Sequence, residues 1–163
     1  MSKFFEETMQ GLMEAVSISK SLSDNYISNR AWLREVVGGK QLVLRGVSAL
    51  EYLQLFGGYI NETIVEAYAL IEVDDDSLDC RVIHSFEEIE YFVDGNVRCA
   101  TFNQILNDML AEFEIADELA LVEALANYFH LHDQSFDGLV IKEENEKIFE
   151  DLKEQAKEYY CGG

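Results

Sequence analysis

Proline is absent from this 163-residue chain, which removes the usual stiffener of extended linkers and tails. No Gly/Ser-rich stretch takes its place, so no internal domain boundary is expected beyond an N-terminal appendage. Cysteine is scarce: Cys80, Cys99 and Cys161 are widely spaced, without a Cys-x-x-Cys pair. That spacing argues against a zinc ribbon or a disulfide framework and for free or buried thiols in a reducing compartment. No apolar run approaches the roughly 20 residues that cross a bilayer, and residues 1–20 are too acidic and too interrupted for a secretory signal. The expectation is a cytoplasmic protein with no membrane partner.

Positive charge is the most telling deficit. Between Gly46 and Ile141 the only cationic side chains are Arg81 and Arg98, against twenty carboxylates, so this stretch carries −18 of the chain's net −20. Direct nucleic-acid binding is not expected, because affinity for phosphates comes mainly from Lys and Arg. Charge of one sign on a compact body repels itself and lowers stability. It also exceeds what solubility requires of a small domain. Disorder does not explain it, since hydrophobic residues make up 48% and aromatics 12% of the chain, and acidic disordered chains lack such residues.

Several catalytic signatures are missing. Gly38-Gly39 and Gly57-Gly58 are isolated pairs that read as helix stops, with no phosphate-cradling glycine motif around them. Neither a Gly-x-Ser-x-Gly elbow nor a His-Glu-x-x-His helix occurs. His130 and His132 would point about 200° apart on a helix, and they share a metal only if the helix has ended. Asp74-Asp75-Asp76 with Asp79 has the composition of a hard-cation loop but lacks the glycine and terminal glutamate of an EF-hand, so a solvated turn is expected. No cofactor and no metal are expected, and the chain is read as a non-enzyme. Among 32 acids, spacing alone does not single out a catalytic carboxylate pair, and an enzyme of unrecognised type stays open.

The pattern of what is present gives the elements. Phe5, Met9, Leu12, Met13 and Val16 share one helical face, so residues 1–29 read as an amphipathic helix and a polar connector. A helix over Arg30–Val37 should stop at Gly38-Gly39. A strand over Gln41–Arg45 should precede a helix opened by the capping box Ser48-x-x-Glu51 and running to about Phe56. Strands are expected over Thr63–Glu72 and Asp79–His84, with Asp74–Asp76 as a turn. Asp94-Gly95 predicts a hairpin between Ile89–Val93 and Asn96–Ala100, with a short helix at Ser85-x-x-Glu88 as the competing reading. Thr101-x-x-Gln104 opens a helix with an apolar stripe from Phe102 to Phe113. Asp117 caps a helix buried through Leu121, Val122, Leu125 and Phe129. After a turn at Asp137-Gly138, a last helix over Glu143–Tyr160 packs through Ile148, Phe149, Leu152, Ala156 and Tyr159, with Glu143/Lys147 and Glu154/Lys157 as weak surface pairs. The fold class is therefore α/β (α+β): a small, mainly antiparallel sheet covered by helices, with a helical C-terminal half. Residues 30–163 form one domain.

Two segments resemble known families. Phe4 to Ala15 resembles the leader helix before the helix-turn-helix of HigA-type antitoxins, without the DNA-binding helices that follow it there. Leu44–Leu53, Gly58-Tyr59 and the strand Thr63–Leu70 resemble the strand, Ser-Ala-Leu helix, strand block of AbiEi-type antitoxins. Arg98–Met109 sits where that family enters its Arg-Thr-containing helix, with Asn103-Gln104 in place of Arg-Thr. The family's N-terminal winged helix is missing, so promoter binding is not implied. What the resemblance implies is an AbiEi-like domain at 30–163 that neutralises a toxin without catalysis.

The functional expectation is an acidic inhibitor that binds a basic protein partner, a toxin or a nucleic-acid-binding effector, on its nucleic-acid-facing surface. The alternative is a nucleic-acid mimic, of the kind mobile elements use against host nucleases such as CRISPR effectors. In both, carboxylates stand in for phosphates and steer association. Glu62, Asp74, Asp75, Asp76, Asp79, Glu87, Glu88, Glu90 and Asp94 form one candidate binding cluster, and Glu112, Glu114, Asp117 and Glu118 form a second. The apolar face of the N-terminal helix offers either core packing or a docking face for a partner or for a second copy in a homodimer.

Overall fold

The computed structural model describes residues 29–58 and 64–160. The expected N-terminal helix, its homodimer face, most of the connector and Glu62 lie outside them. The chain forms α1 (Asn29–Val37), β1 (Leu42–Leu44), α2 (Gly46–Tyr52), β2 (Val65–Ala69), β3 (Leu78–Val82), β4 (Tyr91–Asp94), β5 (Val97–Ala100), α3 (Phe102–Ala111), α4 (Glu118–Leu131) and α5 (Glu146–Glu158), with single 3₁₀ turns at Phe86–Glu88 and Glu143–Asn145. This is the α+β class expected. The five strands lie in the order β3-β2-β1-β5-β4. Pairing is antiparallel for β1·β2 and β4·β5 and parallel for β1·β5 and β2·β3, so the sheet is mixed where mainly antiparallel pairing was expected.

The β2–β3 pairing explains the difference. Parallel neighbours normally need a crossover of a dozen or more residues, usually helical. Here the short stretch 70–77 makes the whole return between Ala69 and Leu78, which are the end of one strand and the start of the next. It therefore runs back along the sheet with little slack. It carries Glu72 and Asp74–Asp76, all exposed.

Alternation divides the strand residues between two faces. Leu42, Leu44, Val65, Ala67, Phe92, Val97 and Cys99 join a continuous core with Leu50 and Leu53, with Ile105, Leu106 and Leu110 of α3, with Leu121 and Leu125 of α4, and with Phe149 and Leu152 of α5. The opposite parity pairs Val43 with Tyr68 and with Arg98, Glu66 with Asp79, and Tyr68 with Arg81. The middle of this second face is also covered, Val43 being 0% and Tyr68 3% exposed, whereas Asp79 and Val93 at its two edges are exposed. Segment 83–90 joins β3 to β4, the two opposite edges of the sheet, and Arg98 places its guanidinium 5.9 Å from the Phe86 ring centre.

The hairpin forms with its turn one residue later than expected: Asp94 ends β4 opposite Val97, and Gly95-Asn96 make the turn, with Gly95 at φ 61°. Thr101 caps α3 by accepting from Gln104 N–H at 3.2 Å, and Asp117 caps α4 by accepting from Ala120 N–H at 3.0 Å. Both readings of Ser85–Val93 hold in part: the Ser85/Glu88 capping box forms over a 3₁₀ turn, and the strand begins at Tyr91. The last helix starts as a 3₁₀ turn and becomes α-helical at Glu146. Its Glu154–Lys157 pair forms at 3.4 Å.

The Ser48 capping box does not form. α2 begins at Gly46, placing Ser48 inside the helix, where its Oγ accepts from Glu66 N–H across the sheet at 2.9 Å. Glu51 is 4% exposed instead of reaching back to a cap. The cap comes from another strand: Glu66 Oε2 accepts from Val47 N–H at 2.8 Å. A Cβ on Gly46, which sits at φ +55°, would stand 2.6 Å from that oxygen, so only glycine fits where carboxylate and helix start meet. The helix also ends early, at Tyr52, whose carbonyl accepts from buried Arg30 through Nε at 2.9 Å and Nη2 at 2.7 Å.

Candidate functional site

The sheet separates acids that are near in sequence. Asp79 on β3 and Asp94 on β4 occupy opposite edges, four strand spacings or about 19 Å apart. The first expected cluster is therefore two groups, not one patch. Asp74–Asp76 and Asp79 lie at the β3 edge, and Glu87, Glu88, Glu90 and Asp94 lie toward β4.

Several of these carboxylates serve the fold. Glu88 Oε2 accepts from His84 N–H at 2.9 Å and Ser85 N–H at 3.2 Å. Glu90 accepts from the Thr101 hydroxyl at 2.6 Å. Asp94 accepts from the Tyr52 hydroxyl and lies 3.4 Å from Arg34. Burial, reinforced by that carboxylate, pushes the Tyr52 hydroxyl up to about 12. Asp75 accepts from Ser77 through both Oγ (2.6 Å) and N–H (2.9 Å), which holds its carboxyl below the usual range. Asp117 is committed to its helix cap. Asp74, Asp76, Asp79, Glu87, Glu114 and Glu118 are exposed.

A different grouping emerges at the β3 edge. A cleft of about 440 Å³ is lined by Arg45, Glu66, Asp79, Cys80, Arg81, Asp108, Met109, Glu112, Ile115 and residues at the start of α2. It takes Asp79 from the first expected cluster and Glu112 from the second, and adds Glu66 and Asp108, which the sequence did not single out. Arg81 Nη2 bridges to Glu112 at 2.6 Å, which raises the guanidinium and holds the Glu112 carboxyl below its usual range. Asp108 accepts from the Tyr68 hydroxyl and, at 2.9 Å, from Gln104 Nε2. Burial first and that carboxylate second push the Tyr68 hydroxyl up to about 12.

Arg45 forms the floor of the cleft. Its side chain is 9% exposed and its Nε–H is buried with no acceptor. Its guanidinium stacks 5.3 Å from the Tyr68 ring centre, and the Glu66 carboxylate stands 3.8 Å away, beyond hydrogen-bond range. The outer wall is apolar, with Ile115 82% exposed.

The cleft follows the β3 edge, which has no further strand beside it among the described residues, since Asp79, Cys80 and Arg81 all line it although consecutive residues point to opposite faces. Val65 N–H donates to Ser77 O and Ile83 N–H to Ala69 O, each at 2.8 Å. The odd-numbered residues of β3 thus bond β2, and Cys80 and Val82 turn their main-chain groups outward.

Among the described residues no group of three or more His, Cys, Asp or Glu side chains is arranged to hold a metal ion. His132 stacks on Tyr128 at 4.0 Å with Nδ1 2.9 Å from the Tyr128 carbonyl, and His130 packs edge-on to Tyr160. No described helix is long and apolar enough to cross a membrane. No family model, curated protein or solved structure matches the chain.

Proposed function

We propose that this chain is a non-catalytic inhibitor, antitoxin-like in role, that binds a basic partner protein on the surface the partner uses for nucleic acid. One observation carries the reading: the two cations of the acidic stretch are both engaged inside the fold. Arg81 is held by Glu112. Arg98 lies over Phe86 and donates to the Lys40 carbonyl at 3.0 Å. Little positive charge is left to offset the exposed carboxylates of the 70–77 return, the 3₁₀ turn at Phe86–Glu88 and the α3–α4 junction. An opposing basic surface relieves that repulsion, and complementary potential speeds encounter.

The test is retention of host proteins on the immobilised chain, followed by elution with salt and, separately, with duplex DNA or RNA. A cognate partner should leave between about 0.05 M and about 0.5 M salt. The same partner should be displaced by nucleic acid, because both occupy one surface. A partner that stays bound through both treatments overturns the reading.

A further inference from the structure

We propose that the cleft beside β3 receives an extended basic segment of the partner, which adds as a strand to the β3 edge and places one Arg or Lys side chain among Asp79, Asp108 and Glu66. The inference rests on the reading of the chain as a binder of a basic protein, and it names the place and the mode.

Three independent features converge here. The first is the β3 edge, unpaired among the described residues, where the main-chain groups of Cys80 and Val82 face outward and Val82 is 47% exposed. Strand addition supplies main-chain hydrogen bonds, and pockets beside the edge select alternate side chains. Natural edges are usually blunted by proline, bulges or a covering element, and this chain has no proline.

The second is charge. Within the cleft Glu112 is matched by Arg81 at 2.6 Å and Glu66 by Arg45 at 3.8 Å. Asp79 and Asp108 form no salt bridge among the described residues, and Asp108 accepts only from the neutral donors Tyr68 and Gln104. A guanidinium or ammonium group entering the cleft meets this surplus of two negative charges.

The third is shape, because an apolar wall stands beside the carboxylates. The apolar wall of Met109 and Ile115 suits the aliphatic stem of an Arg or Lys.

The experiment titrates the full chain with a capped octapeptide of alternating Arg and Val, and with its counterpart of alternating Gln and Val, by calorimetry. Wild type should bind the Arg peptide and bind the Gln peptide at least about ten-fold more weakly. Asp79→Lys and Val82→Pro should each weaken the Arg peptide about ten-fold, the first through charge and the second by removing an outward donor from the edge. Glu144→Lys, with the same charge change on the exposed 3₁₀ turn before α5, should weaken it less than about three-fold.

Circular dichroism checks that each variant is folded. No preference for the Arg peptide overturns the inference. Equal losses in Asp79→Lys and Glu144→Lys also overturn it, and in that case binding is led by diffuse charge and the broader inhibitor reading stands. Loss of the inhibitor reading itself shows separately, as a partner that neither salt nor nucleic acid displaces.

Discussion

Glu66 on the second strand closes the start of the α2 helix, its Oε2 accepting from Val47 N–H at 2.8 Å with Gly46 packed against the same oxygen. A helix buried along its whole length has unpaired N-terminal amides that water cannot reach, and all of Gly46–Tyr52 is buried. The carboxylate is therefore structural as well as cleft-lining. Gly46→Ala should lower stability by about 1–3 kcal/mol, because it adds left-handed strain and displaces Glu66. Glu66→Gln should cost less than Glu66→Ala, since an amide oxygen still accepts from Val47. Thermal midpoints read both, and equal losses in the two Glu66 variants would remove the capping role.

Asn107 should be the most sensitive polar residue of the C-terminal half. It is 8% exposed and joins α3 to the approach of α5. Nδ2 donates to the Asn103 and Val140 carbonyls, each at 2.8 Å, and Oδ1 accepts from Lys142 N–H at 2.8 Å and Asn145 Nδ2 at 3.0 Å. Asn107→Ala removes four hydrogen bonds at once, one of them to buried Asn145, and should cost about 1–3 kcal/mol. In urea unfolding, a loss no larger than that of an exposed surface variant would show that the network contributes little.

Local chemistry made part of this architecture readable from sequence. Thr101 and Asp117 act through atoms within three residues and do so in the structure, and the Asp94-Gly95 signal placed the hairpin to within one residue. Ser48 and Glu51 had the same local signature, but their partners and burial are set by β2 and the core, so tertiary contacts overrode the capping box. The parallel β2–β3 pairing was hidden because a crossover as short as 70–77 has no helical period to announce it. The cleft was hidden for a related reason: Asp79 and Glu112 belong to different elements, and only the Arg81 bridge brings them together. Glu66 had a faint signal, a lone carboxylate inside the apolar run Ile64–Leu70. The −18 stretch was plain from counting, but which carboxylates cap, bridge or remain exposed depends on the fold.

Tyr52 and Tyr68 predict the alkaline limit of the fold. Each is held protonated, up to about 12, by burial and by a neighbouring aspartate. In the unfolded chain a tyrosine ionises near about 10. A folded-state value raised above the unfolded one means that the contribution is complete below about 10 and is lost as pH rises toward about 12. Stability should fall across that window, and Tyr68→Phe should flatten the fall. Denaturant midpoints measured against pH decide it, and identical alkaline slopes for wild type and Tyr68→Phe would refute the assignment.

Salt should act in opposite directions on the fold and on its complex. Like charges on one body repel over roughly 30 Å at about 0.01 M salt but only about 8 Å at about 0.15 M, so salt relieves the self-repulsion of a chain carrying −20. The thermal midpoint should therefore rise on going from about 0.01 M to about 0.3 M sodium chloride. Over the same range affinity for the Arg-Val peptide should fall, because screening weakens the attraction that steers it. Arg81→Gln sharpens the comparison, since it removes the cation that holds Glu112 and adds one more uncompensated carboxylate to the cleft. Its own stability loss should be small, because a half-exposed ion pair contributes about 1 kcal/mol or less. Its affinity for the basic peptide at low salt should be higher than that of wild type. If Arg81 instead served as an anchor for the ligand, the same substitution would weaken binding, so the sign of the change separates a charge-neutralising arginine from a binding one.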